Sequence, residues 1–339
     1  MKKVVTFGEI MLRLTPPGFQ RLRQARRFEA IFGGGEANVA VSLAQYGIDV
    51  EFVTRLPEND LGAACLAFLR ANGVRTDHSV RGGKRLGLYF LETGAAQRGH
   101  TVLYDRADSS FATIEPGLID WESVFADAGW FHWTGITPAV SAGAAGACRE
   151  AIAVARRLGL TVSCDPSYRH KLWQWGRAAV EVMPDLIRQC DVVIAGPEDA
   201  ERVFGFSLPN SENAVDRHCA FAERLTQNFP NVQLAATTLR GAESASHQQW
   251  SGTLWHAGQF YVGPIYDILP VVDRIGAGDA FAAGLIYAHC TRQDDLGYTL
   301  NFALAASCLK HSIVGDANLV SVAEVEQLMA GESAGRVSR

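Results

Sequence analysis

Trp130-Phe131-His132-Trp133, Thr161-Val162-Ser163-Cys164 and Val192-Val193-Ile194-Ala195 are three short apolar runs, each long enough for a buried strand and too short for a helix. Between them, Ala144 to Leu158 and Arg177 to Gln189 carry helical periodicity. Strand and helix alternating in this way predict a largely parallel sheet covered on both faces, an α/β fold. Towards the N-terminus the alternation continues. Val4 to Phe7 is a short run closed by Gly8; Asn38 to Tyr46 places Val39, Leu43 and Tyr46 on one helical face, with Gly47 beyond its end. Val50 to Val53 reads as a strand, and Asp60 as the cap of a helix carrying Leu61, Cys65, Phe68 and Leu69 that stops at Asn72-Gly73. Towards the C-terminus, Val232 to Thr237 predicts a strand, and Ala280 to His289 and Leu296 to His311 predict two long helices. One pair breaks the pattern. Leu86 to Leu91 and Thr101 to Tyr104, joined by the polar connection Glu92 to His100, predict a hairpin suited to serve as a lid.

Composition narrows the function classes. The chain has 339 residues, 48% hydrophobic and 20% charged, which excludes disordered, collagen-like and coiled-coil classes. A net charge of -5 argues against a general binder of nucleic-acid backbone. Seven cysteines in no CxxC spacing predict reduced thiols and a cytoplasmic protein. The uncharged stretch from Ala128 to Cys148 is long enough to span a bilayer, but Pro138, His132 and four glycines favour a strand, a loop and a small-residue helix. No membrane partner is expected. Glycine is in excess, 33 residues, about 10% against the usual ~7%.

Two glycine clusters account for part of that excess. Gly276-Ala277-Gly278-Asp279 precedes a predicted helix, so its amides can converge on an anion at the helix N-terminus. Asp279 can cap that helix or take a proton from a bound hydroxyl. Gly33-Gly34-Gly35-Glu36-Ala37-Asn38 opens the first helix; its glycines allow close contact with a polyol, and Asn38 can both donate to and accept from hydroxyls or simply cap the helix. The chain holds no G-x-x-x-x-G-K-[ST], and the G-x-G lacks the third glycine and early position of a dinucleotide fingerprint.

Together the segments G-G-x-x-x-N and D-x-x-G-A-G-D-x-F resemble the signatures of the ribokinase, or PfkB, family of carbohydrate kinases over residues 3 to 330. The resemblance implies a ribokinase-like three-layer sandwich over residues 1–330, a β lid formed by segments about 11–32 and 86–105, and a mobile tail at 331–339. It implies transfer of the γ-phosphoryl of ATP to a sugar hydroxyl, with Asp279 as base and Gly276, Ala277 and Gly278 as anion hole. From an ordinary carboxyl pKa of about 3.9, Asp279 is expected to be ionised at neutral pH. Ser167, Arg169, Leu239, Arg240, Gly241, Ser244 and Asn301 match nucleotide-binding positions. Leu239 to Ser244 corresponds to a loop after a strand, commonly R-G-x-x-G, with Ser244 replacing its last glycine. Mg2+ is implied, with Glu198 and Asp199 acting through water and Gly196 standing where relatives carry Asn; a monovalent cation is admitted as a further cofactor. A homo-oligomer is expected, because lid strands in this family often pair between subunits.

The acceptor is read from two arginine segments, Tyr104-Asp105-Arg106 and Ser167-Tyr168-Arg169-His170-Lys171-Leu172-Trp173. Arginine forks suit a carboxylate, which neutral sugars lack. These segments and His132 to Pro138 resemble the 2-keto-3-deoxygluconate kinases. That resemblance transfers Gly34, Tyr89, Tyr104, Arg106 and Arg169 to the acceptor site, with Asp316 a further candidate near it and Asn38 joining them from the first glycine cluster, and implies phosphorylation of 2-dehydro-3-deoxy-D-gluconate to its 6-phosphate. A kinase for fructose or ribose, and a non-catalytic sugar sensor on the same fold, are the competing readings.

Overall fold

In the computed structural model, which describes residues 2–331, the strand and helix alternation closes into one central sheet of nine strands. Its main path runs Val50–Val53, Lys3–Phe7, Ala128–Thr134, Thr161–Asp165, Val192–Ile194, Leu234–Ala242, Gln248–His256, Gln259–Val262, and Tyr266–Ile268 also pairs with Gln248–His256. The first six are parallel. The remainder form an antiparallel edge.

The parallel strands read as unbroken apolar runs because both faces are buried. Successive residues alternate between two cores. Val4, Phe52, Trp130 and Val192 join the core made with Val39, Leu43, Phe281 and Phe302, while Val5, Val53, Phe131 and Val193 join the core made with Cys148, Ile152 and Leu186. The first core is supplied by helices Gly35–Gln45, Ala277–Thr291 and Leu296–Lys310, the second by Ala142–Arg157, Ala179–Ile187 and Ala214–Asn228.

A separate sheet of four strands lies in the order Glu29–Gly33, Met11–Thr15, Leu88–Glu92, Thr101–Asp105. Two antiparallel pairs meet through a parallel one, Leu12 beside Leu88. Its strands fall within or next to the segments named above for the lid.

Several boundaries differ from expectation. The first helix starts at Gly35, so Asn38 lies in its first turn and Gly34 occupies the cap position. Asn59 rather than Asp60 caps Asp60–Ala71, its side-chain oxygen accepting from the Gly62 N–H at 3.1 Å. Ala128 to Cys148 divides into a strand, the short helix Ile136–Val140 and the start of Ala142–Arg157; no described helix is long and apolar enough to cross a membrane. All seven cysteines are free thiols, four of them buried. The expected mobile tail lies, from residue 332 onwards, outside the described residues.

Candidate active site

A cleft of about 660 Å³ opens at the carboxyl ends of the parallel strands, where open α/β sheets characteristically form sites. One wall comes from the strand ends and the glycine segments, the other from the small sheet. A smaller hollow of about 350 Å³ lies at the amino ends of the strands, where the Arg156 guanidinium is taken up by both oxygens of Asp191 at 2.7 Å.

Helix Ala277–Thr291 begins at the cleft. Gly276 stands just before it with φ +84°, and a Cβ there would lie 1.9 Å from the Asp316 carbonyl oxygen, so the position favours glycine. No side chain caps this helix. The Ala277 N–H donates to the Arg274 carbonyl at 3.3 Å; the amides that follow it in the first turn lack partners from the helix and stand at the cleft wall formed by Gly276, Ala277 and Gly278. Asp279 does not cap; its carboxylate accepts from the Asn38 side-chain amide at 2.7 Å. Burial pushes Asp279 up to about 7, the Asn38 amide opposes this, and Asp165 and Asp316 add to the rise. Burial thus opposes the ready ionisation expected from the sequence.

Protein atoms come as close to the first glycine cluster as a ligand would. A Cβ on Gly33 would meet the Asp316 carboxylate at 2.2 Å, and one on Gly34 the Glu9 carbonyl oxygen at 2.1 Å. Glu36 fixes the same segment to the strand ending at Thr134, accepting from the Thr134 N–H at 3.1 Å and the Thr134 and Thr137 hydroxyls at 2.8 Å.

Cations gather opposite Asp279. Arg240 lies over the Trp250 ring at 5.0 Å, and a Cβ on Gly278 would be 3.6 Å from its Nη2. Arg240 keeps part of its surface in solvent; desolvation by the cleft walls, with Arg274 beside it, still lowers its pKa. Desolvation also lowers Arg274. Two destabilised guanidinium charges beside an uncapped helix terminus make a receptor for a polyanion. Carboxylates crowd the adjoining wall: burial raises Asp165 and pushes Asp199 to about 7, with Glu198 and Asp165 repelling Asp199 further. Asp199 accepts from the Gly196 N–H at 3.2 Å, and Gly196 leaves room for the Glu198 carboxylate.

On the small-sheet side, Tyr89 and Tyr104 lie with ring centroids 6.0 Å apart. Arg106 is not a free fork: its Nε donates to Glu9 at 2.8 Å, and its Nη2 also pairs with Glu9, both residues being buried. Asp316 is likewise engaged, accepting from Tyr89 and from Arg13 at 2.7 Å, while Arg13 also pairs with Asp273 at 2.7 Å. Arg169 is exposed and donates to the Tyr168 carbonyl at 3.0 Å.

Gly34, Asn38, Tyr89, Tyr104, Arg106, Ser167, Arg169, Glu198, Asp199, Leu239, Arg240 and Asp316 all line this cleft. Three expected residues do not. Gly241 and Ser244 are displaced because Leu234–Ala242 runs on past the expected loop as a strand, pairing Arg240 with Trp250 and Gly241 with Gln249. Ser244 instead shapes the hairpin turn, its N–H donating to the His247 carbonyl at 3.1 Å. Asn301 lies on helix Leu296–Lys310, away from the cleft lining. Sequence reasoning missed Arg274, inside the quoted motif, and Glu9, Arg13 and Glu36, whose partners are distant in the chain.

The model of the pfkB family of carbohydrate kinases matches residues 1–321. A 2-dehydro-3-deoxygalactonokinase of Haloferax volcanii is 32% identical, with 98% of each chain covered. A 2-dehydro-3-deoxygluconokinase of Thermoproteus tenax is 28% identical, covering 97% of this chain and 94% of its own. The crystal structure of a 2-dehydro-3-deoxygluconokinase from Thermotoga maritima superposes with a TM-score of 0.93 at 44% identity, covering 98% of this chain and all of that one. A match over nearly the whole chain, with the glycine loop and its aspartate lining the cleft, places this chain in the pfkB family of carbohydrate kinases.

Proposed function

We propose that the protein transfers the γ-phosphoryl group of ATP to the terminal hydroxyl of 2-dehydro-3-deoxy-D-gluconate, giving the 6-phosphate, with Asp279 as general base. The observation that carries this reading is Asp279 itself, oriented by Asn38 at 2.7 Å between the uncapped helix terminus and the acceptor side of the cleft. A carboxylate near 7 is a stronger base than an ordinary one, yet still much weaker than an alkoxide. Proton transfer to Asp279 therefore accompanies formation of the new P–O bond. The amides of Gly276 to Gly278, with Arg240 and Arg274, receive the charge on the transferring phosphoryl and the departing diphosphate.

The acceptor's carboxylate separates this reading from a neutral-sugar kinase. Arg169 offers an exposed fork, and Arg106, braced by Glu9 through Nε and Nη2, keeps Nη1 for a ligand. The relatives named above are kinases of 2-dehydro-3-deoxy sugar acids by their names. Tyr89 and Tyr104 reach the cleft from the small sheet, which we read as a lid over the acceptor. Asp316 acts on that side by holding Tyr89.

A magnesium ion fits beside Glu198 and Asp199. Burial raises Asp199, with Glu198 and Asp165 adding to the rise, and a nearby cation would favour the charged form of all three. Among the described residues, no three Asp, Glu, His or Cys side chains form a metal cage, which suits an ion that keeps water and phosphate oxygens as ligands. Such an ion, when bound, neutralises charge on the nucleotide phosphates.

The reading is tested by ATP turnover across the gluconate and galactonate epimers of the acid, fructose and ribose, with Asp279→Asn as control. Turnover on the gluconate-derived acid that disappears in the variant is the expected result. Turnover confined to fructose or ribose would overturn the acceptor, and full activity in Asp279→Asn would overturn the base.

A further inference from the structure

Lys310 ends helix Leu296–Lys310 and has no exposure to solvent. Its ammonium donates to two backbone carbonyls, Asp273 at 3.2 Å and Ile313 at 3.0 Å. Those carbonyls belong to the two segments behind the anion loop. Residue 273 opens the run into Gly276, and residue 313 begins the turn into Gly315-Asp316, whose backbone carbonyl packs against Gly276. The segments are tied together by the Gly315 N–H donating to Asp273 at 3.1 Å and by the Val272 and Asp273 N–H groups donating to the His311 carbonyl at 2.8 and 3.2 Å. Carbonyl dipoles converging on one buried point are how proteins hold a monovalent cation. Here that point is filled by a side chain.

The negative charge around it is matched as well. Arg13 bridges Asp273 and Asp316, each at 2.7 Å. A free cation firming the anion loop would have to be held by the segments that border it, and it would meet an ammonium already seated on their carbonyls. The admitted monovalent cation therefore does not fit behind this loop. We infer that Lys310 stands in for a monovalent ion there, a tethered cation that holds the anion loop, so that the kinase works without added potassium or sodium. Burial draws Lys310 below the usual lysine range, while Asp273 and Asp316 favour its charged form.

The test combines thermal unfolding of the unliganded protein with initial rates of ATP-dependent turnover in tetramethylammonium, sodium and potassium chloride at equal ionic strength. It rests on the phosphoryl-transfer reading for the turnover arm alone, because unfolding needs no acceptor and reports on Lys310 even if the acid-sugar assignment fails. Wild type is expected to unfold within about 1 °C in all three salts, since nothing remains for the ion to bind, and to turn over at rates within about twofold. Lys310→Met is expected to unfold several degrees lower and to lose about tenfold in turnover, as the carbonyls of Asp273 and Ile313 lose their donor. Lys310→Ala, which leaves space, is expected to regain turnover with potassium or methylammonium. Potassium activating wild type about tenfold over tetramethylammonium, or raising its midpoint by several degrees, would overturn the inference. So would a Lys310→Met protein with wild-type unfolding and turnover.

Discussion

A carboxylate held near 7 in the fold and near 3.8 in the unfolded chain costs stability wherever the unfolded chain has released its proton and the folded one must follow. For Asp279 that cost is absent below about pH 4, grows as pH rises, and is complete above about pH 7. Asp279→Asn removes it while keeping the shape of the side chain. The variant should unfold at higher denaturant concentration than wild type at pH 8, by about 2 kcal/mol once partial solvent access is allowed for, and should show no such advantage at pH 4. Its turnover should fall about 10³-fold, and wild-type kcat/KM should climb with pH through about 7 as the base is freed. Paired measurements of unfolding and rate check both halves. The two arginines proposed for the acceptor should separate in the same manner. Arg169 is exposed, so Arg169→Ala should raise KM for the acid sugar about 10²-fold without moving the melting temperature. Arg106→Ala strands the buried Glu9 carboxylate and should cost about 3 kcal/mol in denaturant unfolding. Sequence reading pointed to both arginines, which line the cleft, but not to Glu9, because nothing in a linear pattern joins residues 97 positions apart.

Elements explain which parts of the site were legible. The parallel strands were plain because burial on both faces writes an apolar run, and the start of helix Ala277–Thr291 because it follows a G-x-G turn that needs those residues in that order. Gln248–His256, Gln259–Val262 and Tyr266–Ile268 were not anticipated: glutamine, serine and glycine interrupt the hydrophobic pattern of the first, the other two are only four and three residues long, and all pair at an edge of the sheet. Arg240 and Gly241 read as loop residues in the sequence because their strand continues only by pairing with Gln248–His256. The anion loop carries a prediction of its own. Gly276→Ala must place a methyl against the Asp316 carbonyl at a positive φ, and should cost at least about 2 kcal/mol of stability. Gly278→Ala meets only ordinary contact, 3.6 Å from Arg240, and replaces a glycine within a helix, so it should keep or gain about 0.5 kcal/mol. Its methyl instead intrudes where a phosphate approaches, and kcat/KM for ATP should drop about tenfold or more. Melting curves beside ATP kinetics for the two variants distinguish fold from function within one loop.

At the scale of the whole molecule, the small sheet has two unlike faces. Met11, Arg13, Thr15, Tyr89 and Leu91 are buried on the side towards the body, while Leu12, Leu14 and Phe90, which alternate with them, are only partly covered. The register sets Leu14 beside Phe90 and Phe90 beside Leu103, and Leu103 is 52% exposed, with Phe28 packed on Phe90 at 5.8 Å. A pleated sheet with apolar residues on its outer face as well as its inner one has a surface to cover, and a second copy of the same sheet supplies a matching one. The chain should accordingly sediment as a homodimer at micromolar concentration, and Leu103→Glu, which sets a charge into that face without touching the cleft, should shift it to monomer. Because Tyr89 and Tyr104 enter the cleft from this same sheet, loss of the dimer should also raise KM for the acceptor more than KM for ATP. Sedimentation of both proteins with parallel kinetics decides the matter: a wild type that sediments as a monomer, or a Leu103→Glu dimer with unchanged KM values, would refute the assignment of this face to self-association.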